Sequence, residues 1–257
     1  MKRHLTCLFL LSGLFSAALH AAEPGLPIRV ILVGDSTMAT RSGYGDALCA
    51  RFTPATSCIN LARGGRSSGS FRAEGRWDEV QKLLKDSAAY RASYVLVQFG
   101  HNDQPGKPGR STDLVTEFPA NLARYVAEVT QLGGVAVLVT PLTRRSFKGG
   151  YLKDDLAPWS DAARKVAQAH KVALLALNTL SADAVQRMGQ EEADTLAMAP
   201  PPPVPAATAA GGAGEPQGTP KSAFDRTHVG DKGAQLFSGM VARELVRLVP
   251  SVAASLK

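Results

Sequence analysis

Three apolar runs rich in β-branched residues limit this chain's choices more than any other feature: residues 28–34 (IRVILVG), 93–100 (SYVLVQFG) and 134–140 (GVAVLVT). Each is too continuously apolar for a strand with one wet face, and too short and β-branched for a buried helix, so each reads as a strand covered on both sides. Residues 57–62 and 172–178 supply a shorter second and a fifth strand. Between them lie stretches with helical spacing at 43–52, 77–87, 118–132, 158–170, 180–192 and 232–249. Strands alternating with helices build a parallel sheet with a helical layer on each face, because right-handed crossovers place the helices there. The expected architecture is therefore a three-layer α/β/α sandwich on a five-stranded parallel sheet, with a flavodoxin-like strand order. The chain's 257 residues suffice for one such domain, and 45% hydrophobic with 20% charged residues excludes a fibrous or wholly disordered chain.

In open parallel sheets, ligands bind beyond the carboxyl ends of the strands. The polar clusters of this sequence fall there: Asp35-Ser36-Thr37 after the first strand, Arg63-Gly64-Gly65-Arg66-Ser67 after the second, His101-Asn102-Asp103 after the third. Ser36, flanked by Gly34 and Asp35 at a strand end, stands where a hydroxyl can be held exposed above a sheet. Taken alone, GDST is a short string, and a serine at such a turn equally caps a helix. A nucleophilic hydroxyl needs a base, and His228 supplies an imidazole suited to proton transfer near neutral pH. Asp225, three residues earlier, can hold its tautomer, although a helix-capping turn would also account for both residues. Acyl transfer also needs donors aimed at a developing oxyanion. The candidates are the backbone N–H groups of Ser36 and Gly65 and the carboxamide of Asn102; a plain turn glycine and a loop-capping amide are the ordinary readings of the last two. His101 is expected to make a structural hydrogen bond in its loop. Arg144, Arg145, Tyr151 and Trp159 are either a substrate wall after the fourth strand or ordinary packing and surface residues.

Ser36, Gly65, Asn102 and His228 stand in the order of the four residues that name the SGNH (GDSL-like) hydrolases. The chain further resembles one branch of them, the rhamnogalacturonan acetylesterases: GDSTMA at residues 34–39, Asn60-Leu61-Ala62 with Gly65-Arg66-Ser67, Glu74-Gly75-Arg76-Trp77, residues 99–103 (FGHND), and Asp225-Arg226-Thr227-His228. The resemblance runs in register from about residue 28 to residue 249. It implies a serine esterase that removes acetyl groups from plant cell-wall polysaccharide, most of all acetylated rhamnogalacturonan, with Ser36, Asp225 and His228 catalytic and no cofactor or metal. A lipolytic esterase or thioesterase on the same scaffold is the alternative within enzymes, although no long apolar loop is present to hold an acyl chain. A carbohydrate-binding protein without catalysis is the alternative outside them. Substrate-contacting residues are not identified by the sequence.

Residues 1–22 read as an export signal: Lys2 and Arg3, an apolar stretch from Leu8 to Leu19, then Ala21 and Ala22. The stretch is too short to span a bilayer comfortably, so no stable membrane association is expected, and the protein is placed in the periplasm or outside the cell. Removing the signal lowers the formal net charge from +7 to +5, because it carries two basic residues and no acid. Such a charge attracts an acidic polymer or simply maintains solubility. The basic residues are scattered without a nucleic-acid motif, so nucleic acid is not an expected partner. Cys49 and Cys58 remain after processing; they are expected to form a disulfide, which export permits, closing a short loop between a helix end and the next strand, with two buried free thiols as the alternative. Residues 23–257 then form one domain, interrupted at 197–220 by a Pro/Ala/Gly-rich stretch that cannot bury much surface.

Overall fold

The computed structural model describes residues 25–201 and 224–257; residues 1–22, expected to be an export signal, and residues 202–220 of the Pro/Ala/Gly-rich stretch lie outside them. In chain order the elements are β1 (Ile28–Gly34), α1 (Gly45–Cys49), β2 (Ser57–Asn60), α2 (Ser70–Ala73), α3 (Arg76–Lys85), β3 (Ala92–Gln98), α4 (Glu117–Gln131), β4 (Val135–Val139), β5 (Phe147–Lys148), β6 (Tyr151–Leu152), α5 (Ala157–His170), β7 (Ala173–Leu175), α6 (Leu177–Asp194) and α7 (Asp231–Leu248). A 3-10 turn at Pro250–Ser255 closes the chain. The main sheet has five strands in the order β2-β1-β3-β4-β7, all parallel. This is the expected flavodoxin-like α/β/α architecture.

The period of two in β1 divides the core. Val30 and Leu32 face a cluster completed by Phe237, Val241 and Leu245 of α7 with Leu177 and Val185 of α6. Ile31 and Val33 face the other way, against Trp77 and Val80 of α3, Phe118, Leu122 and Tyr125 of α4, and Trp159 of α5. Every residue of β1 is buried, as a central strand between two helical layers must be. Cys49, the last residue of α1, and Cys58 in β2 form a disulfide with Cα atoms 5.3 Å apart.

The departures from the sequence pattern have local causes. The fifth strand stops at Leu175 because Thr140 Oγ1 accepts the Asn178 N–H at 2.8 Å, which helps to start α6 three residues earlier than its spacing implies. The second strand ends at Asn60, whose Oδ1 accepts the Ala62 N–H at 3.2 Å, although the Leu61 and Arg63 N–H groups still donate to the Leu32 and Gly34 carbonyls of β1 at 2.9 Å. The β5–β6 hairpin and α2 were not legible because neither is long enough to show a period. Among the described residues no helix is long and apolar enough to cross a membrane.

Candidate active site

The first cluster leaves β1 at Gly34, where a Cβ would meet the Gln98 carbonyl oxygen at 2.7 Å, so only glycine lets β1 and β3 run this close. Asp35 then turns its carboxylate back onto Thr37: Oδ1 accepts the Thr37 N–H at 2.9 Å and its hydroxyl at 2.8 Å. Thr37 Oγ1 in turn accepts Gln98 Nε2 at 2.7 Å, and Gln98 Oε1 accepts the Tyr44 hydroxyl at 2.8 Å. All four side chains are buried, so this relay fixes the turn from below and leaves Ser36, 8% exposed, at its rim. Burial raises the Asp35 pKa above the ordinary aspartate value against the hydrogen bonds from Thr37, and its Oδ2 has no partner among the described residues.

The second cluster runs beside the first. A Cβ built on Gly64 would lie 3.7 Å from Ser36 Cβ, and Gly65 adopts the left-handed backbone, φ +77°, that turns the chain past it. Among the described residues neither the Ser36 N–H nor the Gly65 N–H donates a hydrogen bond, so both are available to a ligand. Asn102 enters from the end of β3, its Nδ2 donating to the Arg66 carbonyl at 3.1 Å and keeping a second proton. Its neighbour Asp103 is buried beneath the loop and accepts the Ser68 N–H at 3.0 Å, the Ser68 hydroxyl at 2.5 Å and the Thr112 hydroxyl at 3.0 Å. Burial nevertheless pushes its pKa up to about 6. The structural hydrogen bond expected of His101 is absent: both ring nitrogens are buried without a partner among the described residues. Burial, helped by the charges of Arg144, Lys107 and His228, holds its pKa well below the ordinary histidine value, so the ring is neutral.

The last cluster is a tight turn just before α7. Asp225 Oδ1 accepts the N–H groups of Thr227 and His228, each at 2.7 Å, while Oδ2 lies 2.9 Å from His228 Nδ1. Burial alone would raise the Asp225 pKa; the bonds from the His228 ring and backbone outweigh it and leave the group below the ordinary value. An ionised Asp225 keeps the proton on Nδ1 and leaves Nε2 with its lone pair. No hydrogen bond joins Ser36 Oγ to the imidazole in the described residues; Ser42 ties the two segments instead. Its hydroxyl donates to the Ser36 carbonyl at 2.8 Å and its own carbonyl accepts the Val229 N–H at 3.0 Å. Such contacts are commonly loose before substrate binds.

Arg145 carries this turn from outside it. Fully buried, it donates through Nη2 to the carbonyls of Asp225 at 2.9 Å and His228 at 2.6 Å, and through Nη1 to that of Thr227 at 3.4 Å. Its own N–H donates to the Arg226 carbonyl at 2.8 Å. Burial pushes the guanidinium down to about 10, opposed by the charges of Asp225 and Asp194. Arg226 is anchored in parallel by two bonds of 2.9 Å to Asp194, on the part of α6 that follows the Gly189 kink. The substrate-wall reading therefore fails for Arg145, and for Trp159, which is buried edge-on against Phe118 with centroids 4.9 Å apart. Arg144 is ion-paired to Asp155 at 2.6 Å, and Tyr151 stands exposed on the hairpin. Nothing in the sequence signalled the part that Arg145 or Ser42 plays here: Arg145 bonds backbone carbonyls 80 to 83 residues away, and Ser42 reaches the turn through its own backbone carbonyl.

The model of the GDSL-like lipase/acylhydrolase family matches residues 32–236. A rhamnogalacturonan acetylesterase of Bacillus subtilis (strain 168) is 29% identical over 230 residues, covering 86% of this chain and 91% of that protein. An acetylxylan esterase structure from Geobacillus stearothermophilus superposes with a TM-score of 0.55 at 16% identity, over 87% of this chain and 94% of that one. A larger solved protein from Bacillus subtilis gives a TM-score of 0.68 at 21% identity over 88% of this chain, which spans 58% of it. At those identities the two structures speak for the fold.

Proposed function

The chain belongs to the GDSL-like lipase/acylhydrolase family and is a carboxylic ester hydrolase; on that premise we propose that it is a serine acetylesterase of acetylated rhamnogalacturonan. The Bacillus subtilis relative supports an acetylesterase acting on carbohydrate. The substrate is argued from that relative and from the resemblance of this chain's motifs to the rhamnogalacturonan acetylesterases.

The observation that carries the reading is the pairing of His228 Nδ1 with Asp225 Oδ2 at 2.9 Å, in a turn tied through Ser42 to the Ser36 elbow. In the proposed cycle Nε2 of His228 takes the Ser36 proton as Oγ attacks the acetyl carbonyl. Negative charge gathers on the carbonyl oxygen, and the N–H groups of Ser36 and Gly65 and the remaining Nδ2 proton of Asn102 receive it. The sugar hydroxyl leaves with the proton from His228. Water, deprotonated by the same nitrogen, then attacks the acetyl-serine and releases acetate. No step calls for a metal or organic cofactor. Residues 1–22, which lie outside the described residues, would direct the chain to the periplasm or beyond, and the Cys49–Cys58 disulfide suits such an oxidising compartment.

Acetate release from acetylated rhamnogalacturonan, acetylated xylan and p-nitrophenyl acetate tests the proposal. Wild-type release from the pectic polymer should vanish in Ser36→Ala with the fold intact. Activity retained by a pure Ser36→Ala protein overturns the nucleophile, and activity on xylan alone overturns the substrate.

A further inference from the structure

Asn102 is the one proposed oxyanion donor that is a side chain, and a carboxamide can sit in its place either way round. Only one orientation offers a proton to the substrate; the other offers an oxygen lone pair, which would repel the developing charge. The neighbours decide between them. Nδ2 donates to the Arg66 carbonyl at 3.1 Å, and Oδ1 accepts Nη1 of Arg110 at 3.3 Å. Rotating the amide would set donor against donor at Arg110 and acceptor against acceptor at Arg66.

Arg110 is otherwise hard to account for. It is half-buried, its Nε is buried without an acceptor, and among the described residues no carboxylate lies within ion-pairing distance. A partly desolvated arginine usually finds an acid to offset the cost of its burial. Its backbone is nonetheless held firmly: its N–H donates to the Lys107 carbonyl at 3.0 Å, and the loop is closed where the Thr112 N–H meets the Asp103 carbonyl at 2.9 Å. The same Nη1 would lie 3.7 Å from a Cβ built on Gly65. The guanidinium thus stands beside two of the three proposed donors and bonds one of them.

We infer that Arg110 is a positioning residue, which locks the Asn102 carboxamide with Nδ2 toward the substrate and sets a fixed positive charge behind the oxyanion hole. The inference rests on the reading of Asn102 as an oxyanion donor. A hydrogen bond from a cation to Oδ1 also polarises the amide and makes its N–H a stronger donor. Charge held in place before the reaction needs no reorganisation when the oxyanion forms.

The test uses the full chain with Arg110→Met and Arg110→Lys, and p-nitrophenyl acetate, which has no carboxylate for an arginine to bind. Removing a whole oxyanion donor lowers kcat by about 10²–10³, so losing its orienting partner should lower kcat by roughly tenfold in Arg110→Met, with KM changed less than about twofold. Arg110→Lys should recover part of the loss. A second readout is independent of turnover: the Asn102 side-chain amide pair in ¹H–¹⁵N spectra, assigned by its disappearance in Asn102→Ala, should shift and exchange faster in Arg110→Met. An unchanged amide pair overturns the inference, as does unchanged kcat with a KM rise confined to acidic polymer, which would make Arg110 a substrate-binding group. If wild-type protein hydrolysed no ester at all, the esterase reading would fail while the amide spectra still reported whether Arg110 holds Asn102.

Discussion

Ser36 stands one residue beyond Asp35 at the end of β1, a central strand, whereas His228 stands in a turn whose support comes from residues far along the chain. The elbow relay runs from Asp35 through Thr37 and Gln98 to Tyr44, all attached to β1, β3 or the loop between β1 and α1. The histidine turn hangs on Arg145 and on the Arg226–Asp194 pair, which reach it from beyond β4 and from the end of α6. The acids of the two regions also differ in sign. Asp35 and Asp103 are buried against their charge and have raised pKa values; Asp225 is held by its hydrogen bonds below the ordinary value. The sheet supplies a rigid platform that tolerates unfavourable acids beneath it. The turn has no such platform, so its acid must stabilise the turn as well as fix the tautomer of the proposed base.

That contrast fails if the turn proves self-supporting, and three variants test it. The largest effect is expected of Asp225→Asn. An amide can still accept the Thr227 and His228 N–H groups, but its NH₂ would face Nδ1 and drive the ring proton to Nε2, where it blocks the base. A fall in kcat of roughly 10³–10⁴ on p-nitrophenyl acetate is expected, by analogy with the serine protease triad. Retention of more than about a tenth of wild-type kcat would mean that Asp225 does not set the tautomer.

Arg145→Met comes next. It leaves the carbonyls of Asp225, Thr227 and His228 without their shared donor in a buried place, at about 1–3 kcal/mol for each one left unsatisfied. Urea unfolding should show a loss of about 3 kcal/mol, with kcat reduced while Ser36 remains in place. A loss under about 1 kcal/mol would show that the turn holds itself.

The smallest effect is expected of Asp103→Asn, on the platform side. The folded protein raises this pKa to about 6, so the contribution of Asp103 to stability is fully present below the ordinary value of 3.8 and is lost as pH rises through 6. Asp225, with its pKa lowered, contributes in the opposite sense: its stabilisation is present above the ordinary value and lost as pH falls. Unfolding free energies of wild type and Asp103→Asn, compared from pH 4.5 to 7, should therefore converge or cross by about 1–2 kcal/mol as pH rises. Parallel curves would remove the claim that the platform tolerates a disfavoured acid.

The sheet was legible because a strand buried on both faces leaves a nearly continuous apolar run, which β1 shows from Val30 to Gly34; its one charged residue, Arg29, is buried against the Ser93 hydroxyl. The clusters that follow the strands were legible for the same reason: chain continuity places whatever follows a buried strand at the sheet's edge. The two-residue strands of the hairpin left no period to read. His101 was misread because its residue type says that it can bond, not whether an acceptor lies within reach.

By itself, then, the sequence determined the layered fold and the polar segments that follow the strands, and its resemblance to the SGNH hydrolases puts forward Ser36, Gly65, Asn102, Asp225 and His228 as a set. The fold and the segments follow from local pattern and from position after a strand. Only the tertiary structure decided that Arg145 lies under the histidine turn and that Ser42 joins that turn to the elbow. It also decided which way round the Asn102 amide faces. Arg145 meets backbone carbonyls and Arg110 a single amide, 83 residues apart for Arg145 with His228 and 8 for Arg110 with Asn102, and Ser42 reaches Val229 through one backbone hydrogen bond. A carbonyl is the same in every residue, so no pattern in the sequence marks which arginine will find it.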